Sequence, residues 1–134
     1  MSELIWPEPR VSRAAVFSRD TSSVASAREW LSEFLADEVP AVNVSDAMLL
    51  LSELVTNTLR HGAGDIVCRA SMRDDDGRLC VAVGDASVSL PRVLPVDLRR
   101  VGGFGMLLVE RIAEQWGVAR YPGGKVVWAT IAHE

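Results

Sequence analysis

Three short stretches of this 134-residue chain carry side chains able to do chemistry. In SELVTN (52–57), Glu53 and Asn57 stand four residues apart, which on a helix puts both on one face. Ser52, Thr56 and Arg60 extend the same polar stripe. A glutamate so placed is of the type that takes up a proton in general acid–base work. The plain alternative is the solvated side of an amphipathic helix. Two features weigh against it. Asparagine is a poor mid-helix residue at a purely exposed position. The neighbouring residues, Ala47 to Leu51 with Leu54, Val55 and Leu59, are apolar nearly all round.

The second stretch, VGDAS (83–87), ends an apolar run with the carboxylate of Asp85 and the hydroxyl of Ser87. Alone it reads better as a strand-terminating turn in which Asp85 accepts backbone amides. The third stretch has Gly102, Gly103 and Gly105 around Phe104, ahead of an apolar periodic run. Glycines there allow close backbone approach, and a helix N-terminus favours anions; a pliable turn is the simpler reading. The glycines are not a P-loop, because no Gly-Lys-Ser/Thr follows. Nor are they a dinucleotide fingerprint, because the preceding strand ends at Gly84, well upstream.

The elements that must position these residues follow from periodicity and breakers. Residues 1–12, with Pro7 and Pro9, read as a flexible N-terminal arm, and residues 13–134 as one domain. Arg13 to Arg19 is a short strand candidate. A helix capped by Asp20 or Thr21 carries Val24, Ala27, Trp30, Leu31, Phe34 and Leu35 at helical spacing, with Arg28, Glu29, Ser32, Glu33 and Asp37 opposite; Pro40 stops it. A second helix runs from near Val44 to Gly62, a glycine suited to the left-handed position after a helix end. Ile66 to Arg73 and Leu79 to Gly84 read as a hairpin turning at Asp76-Gly77, the second strand apolar enough for burial on both faces. Residues 85–101 form a loop, and Met106 to Trp116 a third helix. Val118 to Tyr121 and Lys125 to Ala132 are strands joined at Gly123-Gly124. Consecutive hairpins beside segregated helices indicate an α+β two-layer sandwich, its sheet mixed but mostly antiparallel, with three helices on one face.

Composition narrows the function classes. The length is that of one domain. Acidic residues number 18 against 14 Lys and Arg, a net charge of −4, so the chain lacks the basic surface that nucleic acid requires. The longest unbroken apolar run, Ala47 to Leu51, is far short of the roughly 20 residues of a membrane span. The first residues, MSELIWPEPR, are not a secretory signal. A cytoplasmic protein is therefore expected. Cys68 and Cys80 fall on the two hairpin strands, several residues out of register, and are expected as reduced, buried thiols. His61 and His133 stand alone, without metal-ligand spacing.

The order of the three stretches resembles the GHKL superfamily of ATP-binding domains: Glu-x-x-x-Asn on a helix, Asp at a strand end, then a loop and Gly-x-Gly opening a helix. The words SELVTNTLRHG (52–62), VGDASVSLP (83–91), GGFGMLLVERIAEQWGV (102–118) and GGKVVWATIA (123–132) look like the small bacterial anti-sigma-factor serine kinases. The resemblance covers roughly residues 14–132 and implies a histidine-kinase-like ATPase fold with ATP and Mg²⁺ as cofactors.

It also implies roles. Asn57 would hold Mg²⁺ between itself and the ATP phosphates, Glu53 would be the general base toward a substrate serine, and Asp85 would accept the adenine amino group. Ser87, Gly103, Gly105 and Met106 would line the nucleotide, and Arg100, or its neighbour Arg99, would bring positive charge to the γ-phosphate. The implied partners are a sigma factor and an anti-sigma-factor antagonist carrying the serine, with no nucleic acid and no membrane. Homodimers, common in the family, would form through the sheet edge near Ala14 to Phe17. The sequence departs from the pattern at Phe104, which offers a phosphate no charge, and in the shortness of the lid loop from Ser87 to Val101. The leading reading is an ATP-dependent protein serine kinase and anti-sigma factor; the alternative is a partner-sequestering module of the same fold without kinase activity. A histidine-kinase catalytic domain is disfavoured because no helix carries a phospho-accepting histidine.

Overall fold

A computed structural model describes residues 9–38, 44–73, 77–87 and 105–131. Its elements run β1 (Pro9–Phe17), α1 (Ser23–Glu38), α2 (Val44–His61), β2 (Ile66–Arg73), β3 (Leu79–Asp85), α3 (Gly105–Ile112), β4 (Gln115–Tyr121) and β5 (Gly124–Ile131). The strands form one sheet in the order β1-β2-β3-β5-β4. Every neighbouring pair is antiparallel, so the sheet is purely antiparallel rather than mixed. The helices form a second layer, giving the expected α+β sandwich. Within that layer α2 lies centrally on β3, with α1 and α3 packed on its two sides.

The core is built from the faces that periodicity marked out. Leu31, Phe34 and Leu35 of α1 meet Leu50, Leu51, Leu54 and Val55 of α2 over Ile66, Cys68, Ala70, Val81, Val83, Val127 and Ala129 of the sheet. Met106 and Val109 of α3 close the cluster. Trp30 is only partly buried; its indole packs edge-on against Phe17, ring centroids 6.4 Å apart. The central strand β3 is buried along its whole length, as its unbroken apolar run foretells. Cys68 pairs opposite Val83 and Cys80 opposite Ser71; both side chains are buried and neither is in a disulfide.

Several boundaries differ from expectation. The first strand begins at Pro9, inside the stretch read as an arm, because Val11 and Ser12 pair with Met72 and Ser71 of β2. Proline is tolerated at the first residue of such an edge strand, where it need not donate to the ladder. The third helix stops at Ile112, four residues short of Trp116. Its last turn closes with Ala113 N donating to Val109 O, and Glu114 N then donates to Thr130 O, handing the chain to the sheet. No Gly or Pro marks that change, and Trp116, four residues after Ile112, continues the helical period although it pairs with Ala129 in β4. The turn at Asp74 to Asp76 and the loop from Val88 to Phe104 lie outside the described residues.

Gly62 is needed for a reason other than the one expected. Its φ is not positive; Gly64 takes the left-handed conformation, at +74°. A Cβ on Gly62 would instead collide with the Thr58 hydroxyl and the Asp85 carboxylate. The end of α2 and the end of β3 approach so closely that only glycine fits between them.

Candidate functional site

That approach organises a buried polar centre. Asp85, 5% exposed, ends β3 directly across the ladder from Lys125, 4% exposed, at the start of β5. The Lys125 ammonium donates to Asp85 Oδ1 at 3.0 Å and to Oδ2 at 3.1 Å. The backbone amide of Ser87 donates to Oδ1 at 2.7 Å, and the Thr58 hydroxyl of α2 donates to Oδ2. Burial pushes the Asp85 carboxyl upward, but the Thr58, Ser87 and Lys125 hydrogen bonds and the lysine charge outweigh it and hold the group below its ordinary value. The Ser87 contact is the strand-ending turn that the local sequence allows.

Further bonds hold this centre in place. Arg19, just after β1, donates through Nε to Gly64 O at 3.0 Å and through Nη1 to Thr58 O. It thereby caps the C-terminal turn of α2, whose last carbonyls lack helical partners. Ala86 N donates to Ala63 O at 2.7 Å, tying the strand end to the residues after α2. A Cβ on Gly124 would collide with Asp85 O, so a second glycine leaves room for the carboxylate-bearing strand end.

The polar stripe of α2 runs along the helix that carries Thr58. Ser52 is buried and donates to Met48 O at 2.8 Å while accepting from Arg28 of α1 at 2.7 Å; its role is internal. Glu53, Thr56 and Asn57 are half-buried, and Arg60 is exposed. The Glu53 carboxyl is raised above its ordinary value by burial, with the Arg60 charge opposing. Among the described residues neither the Glu53 carboxylate nor the Asn57 amide has a hydrogen-bond partner. The middle of the stripe is thus half-buried, and among the described residues Glu53 and Asn57 hold no hydrogen-bond partner.

The remaining expected residues divide. Gly105 opens α3, which packs against α2. The Met106 side chain is in the hydrophobic core. Arg99, Arg100, Gly103 and Phe104 lie outside the described residues. Thr58, Lys125, Arg19, Gly62 and Gly124 have no site role in the sequence reading. Of these Lys125 carries the clearest signal, being the one charge in the otherwise apolar strand KVVWATI.

Comparison with known proteins gives this geometry a family. The family model of the histidine kinase-like ATPase domain matches residues 17–131. Among solved structures, one of the RsbU and RsbW domains of Rv1364c from Mycobacterium tuberculosis superposes with a TM-score of 0.68 at 23% identity. That match covers 93% of this chain and 33% of the other, so the chain spans about a third of its length. No curated protein sequence matches.

Proposed function

The chain belongs to the histidine kinase-like ATPase domain family, and from that premise we propose that it binds ATP with Mg²⁺ and phosphorylates a serine of an anti-sigma-factor antagonist. In this reading it also holds a sigma factor, as a cytoplasmic anti-sigma factor. The observation that carries the proposal is the pair of half-buried groups Glu53 and Asn57, one helical turn apart on α2 and without a hydrogen-bond partner among the described residues.

The residues fit the expected groups. Magnesium takes oxygen ligands, keeps several waters and completes its shell with phosphate oxygens, so one amide oxygen from Asn57 suffices. Among the described residues no three His, Cys, Asp or Glu side chains gather into an all-protein metal site. When bound, the ion would neutralise charge on the phosphates. Asn57 would orient it, the amides at the start of α3 would receive phosphate oxygens, and Glu53 would accept the proton of the attacking serine hydroxyl. The upward shift of Glu53 suits that task, since a base works best with a pKa drawn toward the operating pH. Ser87, at the strand end, would border the base, and Arg100 would reach the γ-phosphate from the loop. The fold is shared with a structure that contains an RsbW domain, which accords with a regulator of this kind. As an edge strand, β1 offers its outer backbone to a second copy.

The test follows transfer from labelled ATP to the antagonist serine, with nucleotide binding measured separately. Glu53→Ala should keep nucleotide binding and lose transfer by roughly 10²–10⁴-fold. Asn57→Ala should lose both. A wild type that captures its partner yet transfers no phosphate would replace the kinase with a sequestering module, the reading that Phe104 and the short lid favour. Equal transfer by Glu53→Ala and wild type would remove Glu53 from the chemistry.

A further inference from the structure

The sheet has a second face, turned away from the helices. Side chains alternate along a strand. Leu79, Val81 and Val83 of β3 join the helical core, so Cys80 and Ala82 point to the other side. The ladders set Ser71, Cys80 and Thr130 in one row across that face, with Ala82 beside Trp128 in the next. The helices pack on the opposite side, yet Ser71, Cys80, Ala82 and Thr130 are all buried, Cys80 and Thr130 at 2% exposure. Side chains this small cannot shade one another. Further along the same face, at the other end of β1, the larger Val16 is 64% exposed. The burial is therefore local. It falls at the end of the sheet where β1 begins, because Pro9 pairs with Arg73 and Ser12 with Ser71. Thr130 Oγ1 is buried there without a hydrogen-bond partner among the described residues. A hydroxyl on an open sheet face takes water, so the cover over this end excludes water and is apolar.

We propose that residues 1–8 form that cover, with Leu4, Ile5 and Trp6 packed over Cys80, Ala82 and Thr130 of β3 and β5. Three pieces of chain outside the described residues join this end of the sheet: 1–8 before β1, 74–76 between β2 and β3, and 132–134 after β5. The second is Asp-Asp-Asp and the third Ala-His-Glu; only the first, MSELIWPE, holds large apolar side chains. Its reach fits. Neighbouring strands stand about 4.8 Å apart, and an extended chain advances about 3.3 Å per residue. From the start of β1, β3 lies about 10 Å away and β5 about 14 Å, spans of roughly three and four to five residues. Counted back from Pro9, those are Trp6, then Ile5 and Leu4. The segment then belongs to the fold, and it closes this end of the outer face to a second copy. The inference is independent of the nucleotide reading above.

Cysteine labelling of the full chain reads the cover directly, because the two thiols lie on opposite faces: Cys68 in the helical core, Cys80 on the outer side. Native protein is treated with iodoacetamide at neutral pH, and each site is followed by mass spectrometry. Both should resist in wild type. In Ile5→Ser/Trp6→Ser, Cys80 should react about tenfold faster or more while Cys68 stays protected, the mark of local exposure rather than global unfolding. Trp6→Phe should keep Cys80 protected. Unchanged protection of Cys80 in the folded double variant overturns the proposal. Wild-type protection of Cys80 that falls on dilution, as a dimer separates, also overturns it and puts a second copy on this face. A further measurement needs no variant to fold: NMR of wild type should show nuclear Overhauser contacts between the Trp6 indole and the methyl groups of Ala82 and Thr130. Their absence would sink the proposal as well.

Discussion

Replacing Thr58 with valine isolates one bond of the buried centre. Thr58 is 4% exposed, and its hydroxyl donates to Asp85 Oδ2 while accepting a longer bond of 3.4 Å from Arg19 Nη2. Valine keeps the shape and removes the donor. A hydrogen bond to a charged group contributes about 1.5–3 kcal/mol, and the extra buried methyl returns up to about 0.8 kcal/mol. Lys125 and Ser87 N still hold the carboxylate, so it is not orphaned. The net cost is about 1–2 kcal/mol at pH 7, read as a lower urea midpoint with an unchanged m-value. The pH dependence identifies the cause. Asp85 is held below its unfolded value, so its stabilisation is present above the unfolded pKa and is lost as pH falls through the folded one. Removing a donor raises the folded pKa. Acid unfolding of Thr58→Val should therefore begin at higher pH, and the gap from wild type should narrow once Asp85 is protonated in both. Thr58→Ser should follow wild type. A cost below about 0.5 kcal/mol at pH 7, or one that stays constant into the acid range, would refute the bond's role and leave only packing.

Four other outcomes are expected. Asp85→Asn strands the Lys125 ammonium in the interior and should cost about 3–5 kcal/mol in denaturant unfolding; a cost near zero would show the pair to be solvated. Phe34→Ala, at a fully buried site, should cost about 3–5 kcal/mol, whereas Trp30→Ala should cost less because that indole is partly exposed; equal costs would contradict the packing. Burial pushes the Cys68 thiol up to about 12, so native protein should resist alkylation at neutral pH and react there only on unfolding, as mass spectrometry of the labelled protein reports. The rate of phosphoryl transfer should fall as acid protonates Glu53, with a midpoint above the ordinary glutamate value, and a rate indifferent to pH would exclude Glu53 as the base.

How much of this was legible in the sequence depends on the scale of the signal. Local periodicity located α1, α2 and the β2–β3 pair well, because their apolar faces and breakers are unambiguous. It failed at the end of α3, where Trp116 keeps the helical phase but the chain is captured by pairing with β5. At β1 it caught the second half of the strand and missed its start, because Pro9 hides residues that the pairing with β2 draws into the sheet. Of the candidate site, Glu53, Asn57 and Asp85 stand out in the sequence because each is a polar group in an apolar setting. Thr58 was passed over beside Asn57, since one residue's shift around a helix turns a side chain by about 100° and no local rule says which neighbour faces the sheet. Lys125 stands 40 residues from Asp85, and only the register Asp85↔Lys125 joins them.

That register bears on why a charged pair sits there at all. A buried ion pair adds little stability over an apolar pair of similar volume, because desolvation of both charges offsets their attraction. Stability alone therefore gives no reason for Asp85 and Lys125 to face one another at the end of two central strands. The surrounding design makes the pair harder to dismiss: Gly62 and Gly124 each give up a side chain to leave it room, and Thr58 and Ser87 N complete its hydrogen bonds. Those residues lie at or near the ends of α2, β3 and β5. The Asp85 carboxylate thus takes hydrogen bonds from three separate segments, Thr58 on α2, Lys125 on β5 and the Ser87 amide, and it fixes the end of β3 against the end of α2.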